Sequence, residues 1–359
     1  MCRGVLSAIE EKEMTKKYQH NLLLILIFLS ILCSCQQKVN EKEKRVKPAF
    51  KAVEIQATAE PKGKQKEKPA VIYQSPDLGM TWSSFAKGIP KDATVSGIKQ
   101  ERNKIYITTD YHGIFLSTNG QNNWQQLASD KLNNLDINCI ELEDNKLVVG
   151  THDNGILVSN DSGINWSPAE INIENTSIRA FIKFQEKLFA GTDSGILQSS
   201  DMGNTWSHVF GKIQILGFTS LNNKIYAATQ NGVLVCNGDF SNWESIYEGD
   251  ALHDIGNDGQ YIYAMTIGQQ LLKTKNDGLL WENAQKGITR PPNFYTNELK
   301  HIGNNIFSAQ WIGIYHSADN GNNWKKINGL PDSTAFSTLE ITDFGIIAGI
   351  SIRNEVLIN

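Results

Sequence analysis

The stretch S-I-R-A-F-I-K-F-Q-E-K-L-F-A-G-T-D-S-G-I-L-Q-S-S-D-M-G-N-T-W-S-H-V-F, residues 177–210, decides the fold. Ser177–Phe184 alternates apolar and other residues, the period-two pattern of a strand with one buried face. Gln185-Glu186 reads as a turn, Lys187–Gly191 as a second strand, Gly195–Ser199 as a third and Thr205–Val209 as a fourth. Each run is short, apolar and bounded by turn residues, which is the signature of hairpin-linked antiparallel strands.

The unit repeats. Seven of the eight tryptophans, Trp82, Trp124, Trp166, Trp206, Trp243, Trp281 and Trp324, recur at intervals of 37 to 43 residues. Self-similarity at that period, with four strands per copy, predicts an all-β, seven-bladed β-propeller of four-stranded antiparallel blades. The third turn of each copy carries a motif: Ser75/Asp77/Gly79/Trp82, Ser159/Asp161/Gly163/Trp166, Ser199/Asp201/Gly203/Trp206 and Ser317/Asp319/Gly321/Trp324. Thr274/Asn276/Gly278/Trp281 is a variant, and Asn119 and Gly238 replace the acid before Trp124 and Trp243. A carboxylate there can accept amides of its own turn, glycine permits positive φ, and the indole covers apolar surface between blades. Another glycine, at positions 113, 155, 195, 232 and 313, stands eleven residues before its tryptophan.

Six complete blades fit between about residues 94 and 329. Residues 71–86 supply only two outer strands of a seventh, and Ser337–Asp343 with Ile346–Ile350 supply its inner strands. The ring is therefore expected to close through a blade shared between the two ends of residues 71–359. Glu355–Asn359 is then one strand too many.

The pattern S-x-D-x-G-x-x-W resembles the Asp-box, or bacterial neuraminidase repeat. Families with that repeat include sialidases, xyloglucan-cleaving glycoside hydrolases, sortilin-type receptor domains and photosystem II assembly factors. The resemblance covers about residues 71–359 and implies a fold, not an activity. Third turns share one face of a propeller with first turns. The aspartates and glycines of the motif, with Asn276, are accordingly expected to be structural.

Second turns and blade connections form the opposite face, where a ligand is expected. Its candidates are Tyr111, His152, Asp153, Trp311 and Arg353 on second turns, Arg290 and Tyr295 on connections, and Arg179 at the start of an inner strand. A sialidase clamps its substrate carboxylate with three arginines, whose planar forks match that group, beside a Tyr–Glu nucleophile. Arg179, Arg290 and Arg353 could supply the three, but no R-I-P motif precedes the first Asp-box. Xyloglucan cleavage uses a cleft between two tandem propellers, and this chain has one.

The first 70 residues read as an address and a tether. Residues 22–33 are an apolar run of about a dozen, too short for a membrane-spanning helix of about 20 and suited to a signal peptide. Lys16 and Lys17 precede it, and Leu32-Cys33-Ser34-Cys35 follows. This resembles the bacterial lipoprotein box, which implies residues 1–35 as signal peptide, with Met14 a better start than Met1, and lipid on Cys35. Gln36-Gln37 after the cysteine implies the outer membrane. Residues 36–70 carry ten basic and five acidic residues and too little apolar surface to fold, as expected of an extended tether.

Residues 71–359 carry a net charge of −10, which argues against nucleic acid as a partner. Cys139 and Cys236 lie about two repeats apart and read as buried free thiols. No metal-binding motif is present, and no cofactor is expected. The expected role is a binding or assembly scaffold for an envelope protein or glycan, held to the membrane by its lipid. The alternative is a sialidase-like or other glycoside hydrolase acting on extracellular glycans.

Overall fold

A computed structural model describes residues 69–127, 131–171, 177–268, 270–289, 296–332 and 334–351. These residues form seven antiparallel sheets arranged as a propeller. Six blades are each continuous in sequence, over residues 95–126, 137–168, 178–210, 215–248, 252–283 and 296–327, numbered 1 to 6 here. Neighbouring inner strands pack against one another around the ring, and the last, Phe336–Thr342, packs against the first, Val95–Glu101.

Blade 7 is the shared one. Its order from outside to inside is Ser83–Ser84, Ile72–Ser75, Gly345–Ile350, Phe336–Thr342. The clasp pairs Ile72 with Gly349, Tyr73 with Ala348, Gln74 with Ile347 and Ser75 with Ile346. The expected closure is present. The surplus strand proposed at Glu355–Asn359 lies outside the described residues. One feature is unforeseen: Glu170–Ile171 pairs in parallel with Thr205–Trp206, so blade 3 gains a fifth, outermost strand. The link from blade 2 thus covers part of an edge that would otherwise expose unpaired backbone groups.

The core lies between blades. Residues 105 and 107 of blade 1, 147 and 149 of blade 2 and 346–348 of blade 7 are almost wholly buried. The repeated tryptophans join these layers. Trp124, Trp166, Trp206, Trp243 and Trp324 are buried, while Trp82 and Trp281 are half-buried. Trp124 meets Phe85 edge-on at 5.4 Å, and Trp206 stacks on Phe181 at 5.9 Å.

The third turns are tied by their own side chains. In blade 2, Ser159 Oγ donates to Asp161 Oδ1 (2.8 Å) and accepts from Gly163 N–H (2.8 Å). Asn165 donates its N–H to Asp161 Oδ1 (2.8 Å) and its side-chain amide to Oδ2 (2.7 Å). Gly163 has φ +90°, and its carbonyl accepts from Trp166 Nε1 (3.0 Å). The same Ser–Asp–Gly bonds recur around Asp77, Asp201 and Asp319. Hydrogen bonds from Thr81 hold the Asp77 carboxyl below the usual range, and those from Asn165 do so for Asp161. In the variant turn the neighbouring Asp277 faces blade 4 instead, accepting from Tyr226 Oη (2.6 Å) and Lys224 Nζ (2.7 Å).

The motif is not a purely local device, however, and its glycines have a second reason to be there. Gly79, Gly203, Gly278 and Gly321 have the expected positive φ, at +88°, +86°, +84° and +71°. Each also lies hard against the preceding blade. An added Cβ would press on Phe307 at Gly79, Val148 at Gly203, the Ile246 carbonyl at Gly278 and Tyr263 at Gly321. Turn conformation is thus only half the reason for glycine there; close packing between blades is the other half. The indole bonds differ too. Trp82 and Trp206 donate to Gly79 O (3.1 Å) and Gly203 O (2.9 Å). Trp281 and Trp324 bypass Gly278 and Gly321 and donate to Ile246 O (3.1 Å) and Ala284 O (2.7 Å) instead.

Candidate functional site

First and third turns meet on one face: Asn119 N–H donates to Asn103 O, and Ser162 N–H to Asn145 O. Second turns meet the blade connections on the other: Asp110 N–H donates to Thr94 O, His152 N–H to Asp136 O and Asp193 N–H to Ser177 O. The motif aspartates and the ligand-face candidates therefore stand on opposite faces.

A feature missed in the sequence shapes the second turns. In blades 1 to 4 a threonine closes the turn over the repeated glycine, with Thr109, Thr151, Thr192 and Thr229 donating to the carbonyls of Gly113, Gly155, Gly195 and Gly232 at 2.7–2.9 Å. All four glycines have positive φ. The loops are rigid mounts for the side chains they carry.

Tyr111 is half exposed, with its own φ at +65°. It exchanges backbone hydrogen bonds with the connection into blade 2, through Leu135 O and Asn134 N–H. His152 places Nδ1 3.3 Å from Ser177 Oγ and Nε2 3.7 Å from Asp153. Arg179 donates Nε to Asp193 Oδ1 (3.0 Å), and Gln214 donates to the same oxygen (2.7 Å). Partial burial opposes ionisation of Asp193, but Gln214, Arg179 and the nearby His152 outweigh it and leave the carboxyl below its usual range. His152, Arg179, Asp193 and Gln214 thus form one polar cluster across blades 2 to 4.

Trp311 is not on the surface. It is only 5% exposed, because its turn folds in under the connection that bonds Gly313 N–H to Thr334 O. That is a packing position rather than a contact surface. Arg290, Tyr295, Arg353 and Cys35 lie outside the described residues. Cys236 is buried as expected, whereas Cys139 is only half-buried and lines the central cavity.

The seven inner strands enclose that cavity, of about 580 Å³. Each strand carries a bulge at the same place, next to residues 96, 138, 179, 216, 253, 297 and 337. Bulges re-aim side chains, and here three of them stitch blade to blade. Asn138 donates to Ile178 O (2.8 Å), Asn297 to Phe336 O (2.7 Å) and Ser337 to Val95 O (2.8 Å), always the residue before the next bulge.

Charged groups gather on one side of the cavity. Lys300 Nζ bridges Glu298 (3.0 Å) and Glu340 (3.1 Å), and Glu298 also accepts the N–H of Leu339 (2.6 Å). Burial opposes the charge on Lys300, but its two carboxylate partners hold it firmly protonated. For Asp254, burial and the nearby Glu298 charge outweigh the Ile255 backbone hydrogen bond and the Lys300 charge and push its carboxyl up to about 7. Burial drives His253 down to about 4.

The Asp254 shift carries a sign. A carboxyl raised from 3.8 to about 7 stabilises the fold fully only below its unfolded value, and the contribution drains away as pH climbs to about 7. Asp254→Asn is therefore expected to stabilise the protein by roughly 2–4 kcal/mol at pH 8 and very little at pH 3.5. Thermal unfolding of both proteins at the two pH values checks this. An Asn variant less stable at pH 8 would reverse the assignment.

Comparison with known proteins places the fold. Residues 136–252 match the family model described as the DUF6242 beta propeller domain. No curated protein matches the chain. Among solved structures, YCF48 bound to D1 peptide is similar at 17% identity and TM-score 0.58, over 73% of this chain and 91% of that one. YCF48 from Cyanidioschyzon merolae is similar at 13% identity and TM-score 0.57, over 74% and 98%. The GH74 xyloglucanase from Xanthomonas campestris gives 15% identity and TM-score 0.56, over 77% of this chain and 52% of that one.

Proposed function

We propose that this chain is an envelope lipoprotein whose Asp-box propeller binds a segment of another protein across its second-turn face. The observation that carries this reading is the division of labour between faces. The recurrent carboxylates are taken up by their own turns, while the opposite face mounts non-repeating polar and aromatic side chains, Tyr111, His152 and Asp153 on loops locked by threonine and glycine and Arg179 at the start of an inner strand. Loops held by a rigid scaffold are where binding residues concentrate. Likeness to YCF48, solved with D1 peptide, supports a polypeptide as the ligand. The lipid on Cys35 and a tether over residues 36–70 would present that face to envelope partners, with the outer membrane as destination.

Two results are expected. First, a palmitate analogue fed to cells labels the wild type and not Cys35→Ser; label on the variant would remove the anchor. Second, the anchored protein captures a defined partner set from envelope extract that Tyr111→Ala with His152→Ala loses. Leu279→Ala, which alters an exposed residue on the opposite face, retains it. The protein is not expected to hydrolyse fluorogenic sialosides or xyloglucan oligosaccharides. Hydrolysis that disappears in Arg179→Ala would move it into the glycoside hydrolases.

A further inference from the structure

The position after each inner-strand bulge faces the central cavity. In five blades it holds a small or uncharged residue: Gly97, Cys139, Ala180, Gly217 or Thr338. Blades 5 and 6, neighbours in the ring, hold Asp254 and Glu298 instead. A repeat that breaks its own pattern without a structural gain points to function, and for Asp254 the structure shows a cost. Its carboxyl lies so close over the backbone of Gly217 that a side chain there would collide with it. From blade 6 it faces Glu298 and Lys300, and His253 precedes it on its own strand. Its one hydrogen bond within the wall comes from the backbone of Ile255.

Ion pairing singles out the same residue. Lys99 pairs with Glu141, Arg179 with Asp193, and Lys300 with both Glu298 and Glu340. Among the described carboxyls lining the cavity, Asp254 is the one with no cation within ion-pair distance; Lys300, paired with Glu298 and Glu340, acts on it only from farther away. Buried charge is tolerated when it is paired, and one cation, Lys300, serves the three carboxyls Asp254, Glu298 and Glu340, so an ionised Asp254 calls for a positive group from outside the wall. No set of three His, Cys, Asp or Glu side chains among the described residues is placed to hold a metal ion. A cation that brings its own N–H donors fits such a wall better, because it satisfies carboxylate lone pairs directionally. Leu216, beside Gly217 on the cavity wall, gives an apolar surface for the methylenes of such a group. The space is within the usual range for a small ligand.

We infer that the channel takes a cationic nitrogen group, a primary amine or a guanidinium, seated on Asp254 beside Glu298. This deepens the binding reading by naming the chemistry of one group on the ligand, and rests on it only for the source of that group. The group is either a free small amine or a basic side chain of a polypeptide.

Calorimetric titration of the full chain with agmatine and with the peptide acetyl-Gly-Arg-Gly-amide tests both sources. At least one is expected to bind saturably at one site. Binding needs ionised Asp254, so affinity should fall about twentyfold from pH 7.5 to pH 5.5, following a carboxyl that titrates near 7. Asp254→Asn, shown folded by a cooperative melt, should lose binding at least tenfold. Leu216→Lys, which supplies a cation from the wall, should lose it too while melting higher at neutral pH. Peptide without agmatine binding assigns a side chain; agmatine without peptide binding assigns a small amine. No saturable binding by either, undiminished binding to Asp254→Asn, or displacement by equimolar potassium chloride would overturn the inference. The binding reading fails separately, through capture that is indifferent to Tyr111 and His152.

Discussion

Removing residues 337–359 is expected to abolish cooperative unfolding altogether. The deletion takes most of the innermost strand of blade 7 and the whole of Gly345–Ile350, the strand to which Ile72–Ser75 is hydrogen-bonded. Leu339, Ile346, Ile347 and Ala348 have no exposed surface in the closed ring. Their partners Ile72, Val95 and Phe307, equally buried in the same core, would face water. The stitch from Ser337 to Val95 O would go, as would the Asp343 contacts with Gln100 that tie blade 7 to blade 1. The inner edge of Ile72–Ser75 opens while blades 1 and 6 lose their apolar cover, and each fully buried aliphatic side chain contributes about 1.5–3 kcal/mol. Against a typical total stability of about 5–15 kcal/mol, the loss exceeds what the domain holds. Calorimetry of the truncated protein checks this. A sharp transition near that of the intact chain would show that closure lies elsewhere.

Trp206→Ala is expected to cost about 3–5 kcal/mol, and Asp201→Ala about 1–3 kcal/mol. The indole of Trp206 is 5% exposed, stacks on Phe181 and packs among Val148, Ile178 and Leu197, so truncation leaves a cavity between blades 2 and 3. Asp201 accepts the N–H and hydroxyl of Thr205 and the hydroxyl of Ser199 at 2.7–2.9 Å, but it is only half-buried and Thr205 is exposed, so water can replace part of what is lost. Urea unfolding of the two variants gives the ordering. Ligand capture by either folded variant should match the wild type, since both residues stand on the side opposite the proposed binding face. An Asp201→Ala protein of undiminished stability that no longer captured its partner would refute the structural reading of the motif.

The fold was legible in the sequence because its determinants are local and repeated. Strand alternation, the turn glycines and the tryptophans each act within one hairpin or between adjacent blades, so seven copies report the same geometry. The exceptions arose from pairings between distant residues. Glu170–Ile171 becomes a strand only because the edge at Thr205 is there to receive it. The second reason for Gly203, its approach to Val148, likewise exists only once blade 3 stands beside blade 2. The candidate site was less legible. Tyr111, His152 and Trp311 are placed on a face by turn counting, but a turn's position does not fix whether its side chain folds inward, as that of Trp311 does. Asp254, Glu298, Lys300 and Glu340 were overlooked because they sit on three different blades and meet only after the ring closes. A signal was available: aligned by bulge, the seven inner strands show two carboxylates where the others carry small or uncharged residues.

The clasp also sets an order of events during synthesis. Ile72–Ser75 is made early, yet its partner Gly345–Ile350 comes some 270 residues later. Until then the strand has an unpaired side, and the ring's first inner strand, Val95–Glu101, lacks its neighbour from blade 7. Contacts so distant in sequence are slow to form, and an open edge is where chains mispair. The waiting strand is built to limit that risk. It is only four residues long, carries Gln74 and Ser75 among its apolar residues, and is followed at once by Pro76, which cannot donate to a sheet. A newly made chain therefore stays short of its final state until its last blade arrives, and anything that delays residues 336–350 leaves six blades assembled around an unlocked gap.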